Sequence, residues 1–349
     1  MKKVLNRPEN FVDEMMDGII AAYGDRVQLL NGDKRVLLSK YPAPEGKVGI
    51  VTAGGSGHLP VFLGYVGDGL LDGCAVGNVF ASPSAQKMAD MIKACDRGRG
   101  VLCLYGNYGG DNMNFDMAYD IVLHLHRFDM ACETVEMEDD IQTKTVRVKD
   151  DVASAPPENK DKRRGVAGMV YAFKVAGAAA KEGRDLAGVA AAAQKALDHA
   201  RTMGVAMSPC IVPEVGKPTF SIGENEIEIG MGIHGEPGIE VREMMTADAI
   251  ADLLLDKIFA DMPVDKGGKV SVMVNGLGAT PKEELLIVYR RIAQVLSEKG
   301  ITPVMPHVGE FATSMEMAGL SVTVMHLDEE LEALMRAPAT SPFYTNENI

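Results

Sequence analysis

Three predicted strands in this chain each lead into a cluster of glycines. Val48–Ala53 (VGIVTA) leads into AGGSGHLP at Ala53–Pro60, Val101–Tyr105 (VLCLY) into GNYGGDNMNFD at Gly106–Asp116, and Glu226–Ile233 into GMGIHGEPG at Gly230–Gly238. Short apolar runs bounded by glycine fit buried strands better than helices. Helical patterns lie between them, so strand, loop and helix alternate, which restricts the chain to an α/β fold. In open α/β sheets ligands sit beyond the carboxyl ends of the strands. The three glycine loops are therefore expected to converge on one cleft.

The rest of the pattern extends this reading. In the first half, helices are expected at Asn10–Tyr23, at Ser82–Cys95 behind a Ser-Pro start, and at Asn112–Phe128, with a strand at Met130–Glu136. Asp150–Arg164 (DDVASAPPENKDKRR) is polar, carries Pro156–Pro157 and reads as a surface loop. Gly165–Arg184 and Leu186–Met203 are Ala-rich and read as two close-packed helices. Strands follow at Val205–Val212, Glu226–Ile233, Lys269–Asn275, Ile301–Met305 and Gly319–Leu327. Helices follow at Thr246–Asp261, at Pro281–Lys299 and after Asp328. At roughly 100–200 residues per domain, the 349 residues divide in two, with 1–185 and 186–349 as the expected domains.

Charge narrows the partners. Lys and Arg number 35 against 49 Asp and Glu, a net charge of −14, and the one basic run is KDKRR at Lys160–Arg164. Such a field repels nucleic acid and anionic lipid. No apolar stretch reaches the ~20 residues of a membrane span, and the N-terminus lacks the apolar core of a signal peptide. Five cysteines without a CxxC pair read as buried small hydrophobes in a reducing cytoplasm.

The loops leave few chemistries open. Gly230–Gly235 matches GxGxxG in letters, yet Glu236-Pro237-Gly238 follows where the motif needs a helix. Gly216-Lys217-Pro218-Thr219 lacks both the earlier glycine and the Ser/Thr of a phosphate loop. His234 and Glu236 give H-x-E without the cysteines of a zinc deaminase. His124 and His126 do not share a helix face, so no metal-ligand set closes. His199, His307 and His326 read as surface or structural histidines. His58, Asp111 and His234 remain, each an ionisable residue against glycines. One such residue is explained by a tight turn; three, each after a strand, point to a site.

At these residues the sequence resembles the K subunit of dihydroxyacetone kinases. GGSGH at Gly54–His58, NYGGD at Asn107–Asp111 with Asn114–Phe115, GKPTF at Gly216–Phe220 and GIHGEPGI at Gly232–Ile239 carry the resemblance. So do NGLGATP at Asn275–Pro281, and Thr313–Ser314 ahead of Gly319–Ser321. The resemblance implies two α/β domains with mixed sheets flanked by helices, in a homodimer. It implies that His234 binds the ketone of dihydroxyacetone or a related short ketose as a hemiaminal. His58 and Asp111 would contact substrate hydroxyls and assist proton transfer, with Gly55, Ser56, Gly57 and Gly106 lining the substrate.

A neutral imidazole is a nucleophile toward carbonyl carbon, so glycerol would be refused by chemistry. On this reading the chain binds no cofactor or metal itself. ATP or ADP with Mg2+ would sit on an L-type partner subunit, with ATP or a phosphotransferase-system protein as ultimate phosphoryl donor. The chain reaches Ile349, just past the K region, and alone is expected to bind substrate without phosphorylating it. Many family members have Glu where Leu59 stands, and several have Lys where Gly106 stands. Those departures point to a larger ketose such as a tetrulose. A ketose sensor that controls transcription through protein contact is the competing reading.

Overall fold

A computed structural model describes residues 2–128 and 141–347. In chain order the main elements are α1 (Phe11–Tyr23), β1 (Val27–Leu30), β2 (Asp33–Ser39), β3 (Gly49–Ser56), β4 (Gly73–Val79), α2 (Ala85–Cys95), β5 (Val101–Gly106), α3 (Gly109–Phe128) and β6 (Thr143–Val148). Then come α4 (Gly168–Lys181), α5 (Leu186–Asp198), β7 (Ala200–Ser208), β8 (Glu226–Ile229), β9 (Glu240–Glu243), α6 (Ala247–Asp261), β10 (Lys269–Gly276) and α7 (Lys282–Lys299). The chain closes with β11 (Thr302–Pro303), β12 (His307–Gly309), β13 (Ala318–Leu327), α8 (Glu329–Arg336) and a short β14–β15 pair.

The strands form two mixed sheets. The first has the order β1-β2-β4-β3-β5-β6. Its β4, β3, β5 and β6 run parallel, with the β1–β2 hairpin added antiparallel at the β4 edge. β3 is buried at every position, as a central parallel strand covered on both faces must be. The second sheet has the order β11-β10-β13-β7-β8-β9 and is mainly antiparallel. Its strands alternate: Val270, Val272, Val274, Val322 and Val324 face α6 and α7, while Met273, Met325 and Leu327 face the other way.

Helix α4 is the hinge of the packing. Every residue from Gly168 to Ala180 is buried, the pattern of a helix surrounded on all sides. It shares one apolar cluster with β3 and β5 of the first sheet and with Met273 and Met325 of the second. The alanines and glycines let backbones approach closely. A Cβ on Gly177 would lie 2.1 Å from the Gly69 carbonyl oxygen.

Several expectations need correction. Asp150–Arg164 is not a surface loop at its ends: Asp150, Asp151 and Arg163 are almost fully buried. The Asp150 carboxylate accepts the Val166 and Gly168 amides at 2.7 Å each, satisfying donors at the start of α4. The helix expected over Leu186–Met203 stops at Asp198, and β7 begins at Ala200, earlier than the expected Val205. Pairing with β13 outweighs local helix propensity there. β8 ends at Ile229 and not at Ile233, because Gly230 turns the chain at φ +80°. α2 begins at Ala85 behind Ser84 instead of at the Ser82-Pro83 pair, and the strand at Ile301–Met305 shrinks to Thr302–Pro303. The β1–β2 hairpin turns at Asn31-Gly32, both at positive φ, a pair that suits a two-residue turn. The strand expected at Met130–Glu136 lies outside the described residues.

Gly177, in the middle of α4, gives a test with a defined sign. Helix propensity alone predicts that Gly→Ala gains about 1 kcal/mol. In α1, a methyl group added at Gly18 would meet nothing within 4 Å, so Gly18→Ala should raise the thermal midpoint. Gly177→Ala should lower it, because overpacking against backbone costs roughly 1–3 kcal/mol. Equal shifts in calorimetry would mean that α4 is not packed as described.

Candidate functional site

The carboxyl end of β3 delivers the first group. Beyond Ser56 the chain turns through Gly57 to His58, and residues 313–315 bind this turn. The Thr313 amide donates to the His58 carbonyl at 3.2 Å and the Met315 amide to the Gly57 carbonyl at 2.8 Å. The Thr313 hydroxyl donates to the Leu59 carbonyl at 2.8 Å. His58 Nδ1 lies 2.8 Å from the Thr313 carbonyl oxygen, which can only accept, so Nδ1 carries the hydrogen. Nε2 is then the lone-pair nitrogen, buried and without a partner. Burial first, and the charge of His234 second, push His58 down to about 3, so the ring is neutral.

The end of β5 and the start of α3 deliver the second group. Asp111 sits in the first turn of α3 and is 5% exposed, with Oδ1 unpartnered. Burial lifts its carboxyl to about 6 against the opposing pull of a Ser82 hydrogen bond and of His234. Tyr108 leads into the helix. Its ring meets that of His234 edge-on at 4.7 Å, and its hydroxyl is buried without a partner. The same ring lies against Gly106, where a Cβ would come within 3.0 Å of Tyr108 Cδ2 and Cε2.

The third group is His234, in the loop between β8 and β9. Its ring stands 4.7 Å from that of His58, nearly perpendicular. Phe80 stacks on His58 at 4.8 Å and meets His234 edge-on at 5.4 Å. Glu236 folds back on the histidine, with Oε1 3.0 Å from Nδ1 and Oε2 accepting the His234 amide at 3.0 Å. A carboxylate there keeps the hydrogen on Nδ1 and leaves Nε2 free. Burial pushes the Glu236 carboxyl up, but the His234 hydrogen bond, with His234 and Arg164 charge, outweighs it and holds the group at about 2.

The glycine ahead of this histidine has a steric reason. A Cβ on Gly232 would lie 2.1 Å from Glu236 Oε2 and 2.5 Å from Arg164 Nη1, so these charged groups cross directly over its Cα.

All the residues singled out from sequence therefore meet. Gly55, Ser56, Gly57 and His58 end β3, Gly106 ends β5, Asp111 opens α3, and His234 faces them from the second sheet's loop. Ser56 Oγ is also buried and unpartnered. Phe62, Phe80 and Met315 adopt φ of 69°, 60° and 54°, and strained backbone of this kind gathers at functional sites. Sequence reasoning gave no role to Tyr108, Phe80 or Arg164. It noticed Glu236 only as half of an H-x-E pair. A more spacious groove of about 560 Å³, lined by Arg147, Lys149, Arg163 and Arg201 among others, contains none of these site residues. The site is assigned by its convergent unpartnered polar groups, not by volume. Among the described residues no His, Cys, Asp and Glu side chains cluster as a metal ion would require, and no helix is long and apolar enough to cross a membrane.

Asp111 yields a prediction with a worked sign. Its folded carboxyl titrates above its unfolded value of 3.8, so the folded state holds a proton that the unfolded chain releases. Stability is therefore lost as pH rises from about 4 to 6. Asp111→Asn should stabilise the chain at pH 7, on the order of 2–3 kcal/mol. Unchanged or lower stability in denaturant titrations at pH 7 would contradict this environment.

The chain is similar to known proteins along nearly its whole length. Residues 17–343 match the family model described as the Dak1 domain. The chain is 43% identical over 344 residues to the dihydroxyacetone-binding subunit DhaK of PTS-dependent dihydroxyacetone kinase 2 from Listeria innocua, covering 99% of both chains. It is also 43% identical over 348 residues to an L-erythrulose kinase from Pectobacterium atrosepticum, of which it spans 56%. Among solved structures, the dihydroxyacetone kinase of C. freundii superposes with a TM-score of 0.84 at 28% identity, over 99% of this chain and 60% of that one. The dihydroxyacetone kinase operon co-activator Dha-DhaQ superposes with a TM-score of 0.82 at 28% identity, over 94% of this chain and 97% of that one. With its motifs, its two mixed sheets and its converging histidines, the chain belongs to the Dak1 domain family.

Proposed function

We propose that this chain is the substrate-binding subunit of a kinase for dihydroxyacetone or a related short ketose. One observation carries the reading: His234 has its Nδ1 tied to Glu236 and stands 4.7 Å from a second, neutral imidazole. Nε2 of His234 adds to the keto carbon. The carbonyl π pair moves to oxygen, which takes up a proton from solvent, while the ring passes its Nδ1 proton to the Glu236 carboxylate and ends neutral. The product is a hemiaminal that fixes the substrate by a covalent bond.

His58 Nε2 and Asp111 Oδ1 are the acceptors available to substrate hydroxyls. One of them receives the terminal hydroxyl proton as that oxygen attacks phosphorus. Positioning dominates phosphoryl transfer, so a covalently held triose is well matched to the reaction. Glycerol has no carbonyl and cannot form the adduct. Size discrimination alone would give only ~1–3 kcal/mol. On this reading the L-type partner subunit carries the nucleotide with Mg2+, and ATP or a phosphotransferase-system protein supplies the phosphoryl group. The K-type chain works as a homodimer in the cytoplasm, each copy built of two α/β domains that divide near residue 185.

The relatives named for erythrulose keep a tetrulose in view as substrate. So does the co-activator among the structural neighbours for a sensor role. The orphaned acceptors at His58 and Asp111 favour the enzyme, because a sensor has no proton to move.

Reconstitution with an L-type subunit tests the proposal. The pair should phosphorylate dihydroxyacetone, and His234→Ala should reduce the rate by at least about 100-fold while the chain stays folded. Undiminished turnover in that variant would refute the covalent reading. Ketose binding without turnover in any donor system would favour the sensor, and tighter binding of erythrulose than of dihydroxyacetone would establish the tetrulose.

A further inference from the structure

The segment between β6 and α4 brings Arg164, bonded to Asp151, up to Glu236, the partner of His234. Arg164 Nε lies 3.0 Å and Nη2 2.9 Å from Asp151 Oδ2. Nη1 of the same guanidinium is 3.8 Å from Glu236 Oε2, and Nη2 donates to the Gly230 carbonyl at 3.4 Å. The backbone holds this arrangement: the Asp151 amide donates to the Arg164 carbonyl at 3.2 Å, and Ser154 Oγ accepts the Arg164 amide at 3.0 Å. The Asp151 and Arg164 side chains are only 6% and 14% exposed. Arg163, next in the chain, anchors the segment to Asp261 at 2.9 Å.

Glu236 has two claimants. Its oxygens already serve His234 Nδ1 and the His234 amide. A free guanidinium would compete for both in a fork, the geometry in which Arg binds carboxylates best. Here the fork is committed to Asp151. Arg164 thus lends its positive charge to Glu236 from 3.8 Å without taking Glu236 away from the imidazole. The bare Cα of Gly232 is what lets the two groups pass this close.

We propose that Arg164, held in line by Asp151, is a positioning residue that holds the Glu236 carboxylate against Nδ1 of His234, so that Nε2 is the free nitrogen. The inference rests on the reading of His234 as the nucleophile. It adds that the nucleophile's tautomer is set by a segment far from it in sequence.

The test uses the full-length chain as wild type, Arg164→Gln, Arg164→Lys and Glu236→Gln. Long-range 1H–15N correlation spectra report which nitrogen of each histidine carries the proton, and dihydroxyacetone titration reports adduct affinity. Wild-type His234 should be protonated on Nδ1. Arg164→Gln should shift it toward the Nε2–H form, as Glu236→Gln does, while His58 keeps Nδ1–H as an internal reference. Affinity for dihydroxyacetone should fall about 10- to 100-fold in Arg164→Gln and recover in large part in Arg164→Lys, which restores the charge. An unshifted tautomer in Arg164→Gln overturns the proposal. So does a loss in Arg164→Lys as large as in Arg164→Gln, since charge would then not be the cause. Should Arg164→Gln fail to fold, the lysine variant decides: wild-type tautomer and near wild-type affinity support the proposal, and their loss refutes it. Should even the wild-type chain bind no dihydroxyacetone, the proposed function fails, and the tautomer spectra still settle the role of Arg164.

Discussion

The site depends on one short strap, residues 311–315, clamped between the two sheets. Asn275, at the end of β10, fixes it: its Nδ2 donates to the Ala312 carbonyl at 2.8 Å, and its Oδ1 accepts the Phe311 and Ala312 amides at 2.8 and 2.9 Å. Asn275 is 1% exposed, so these bonds are made where water cannot replace them. From this anchor the strap reaches both ways. Thr313 and Met315 bind the His58 turn of the first sheet, while the Ser314 hydroxyl donates to the Ile233 carbonyl, next to His234. The two imidazoles come from different sheets and owe their separation to the same few peptide groups. Each bond contributes only about 1 kcal/mol to stability, so the strap's importance lies in placement.

Much of this was legible in sequence because it is local. β3 and β5 announced themselves as apolar runs closed by glycine, and the loops that follow them carry His58 and Asp111 where strand ends should place a site. The Ala-rich pattern of α4 likewise announced a packed helix. What was not legible is long-range. Asp150–Arg164 has the composition of a solvated loop, and no local pattern reveals that Asp150 satisfies the α4 amides or that Arg164 reaches Glu236. Tyr108 is similar: a lone aromatic after glycine and asparagine says nothing about a ring lying against His234. Helix α5 was overdrawn for the same reason, because alanine propensity is local and the β7–β13 pairing is not.

Burial, more than helix polarity, sets the state of Asp111. A carboxylate in the first turn of a helix gains about 0.3–1 kcal/mol from the helix dipole. The rise from 3.8 to about 6 corresponds to roughly 3 kcal/mol in the opposite direction. Desolvation wins, and the group becomes a better proton acceptor than an ordinary carboxylate. The same burial shifts His58 the other way, down to about 3, and keeps that ring neutral. One dry environment thus prepares two acceptors of different kinds.

The two histidines show how partner choice separates roles for one side chain. Both have the hydrogen on Nδ1, but His58 gives it to the Thr313 carbonyl and His234 to the Glu236 carboxylate. A carbonyl fixes a tautomer and offers little more. A carboxylate also stabilises the positive charge that grows on an imidazole as Nε2 bonds to carbon. His58 lacks that support and lies buried against Phe80, so it is poorly suited to a cationic intermediate. On the proposed reading this decides which ring attacks carbon and which accepts a hydrogen bond, although their centres are only 4.7 Å apart. Gly232 follows from the same choice: the carboxylate must fold back onto its own loop, and a Cβ at that position would lie 2.1 Å from Glu236 Oε2.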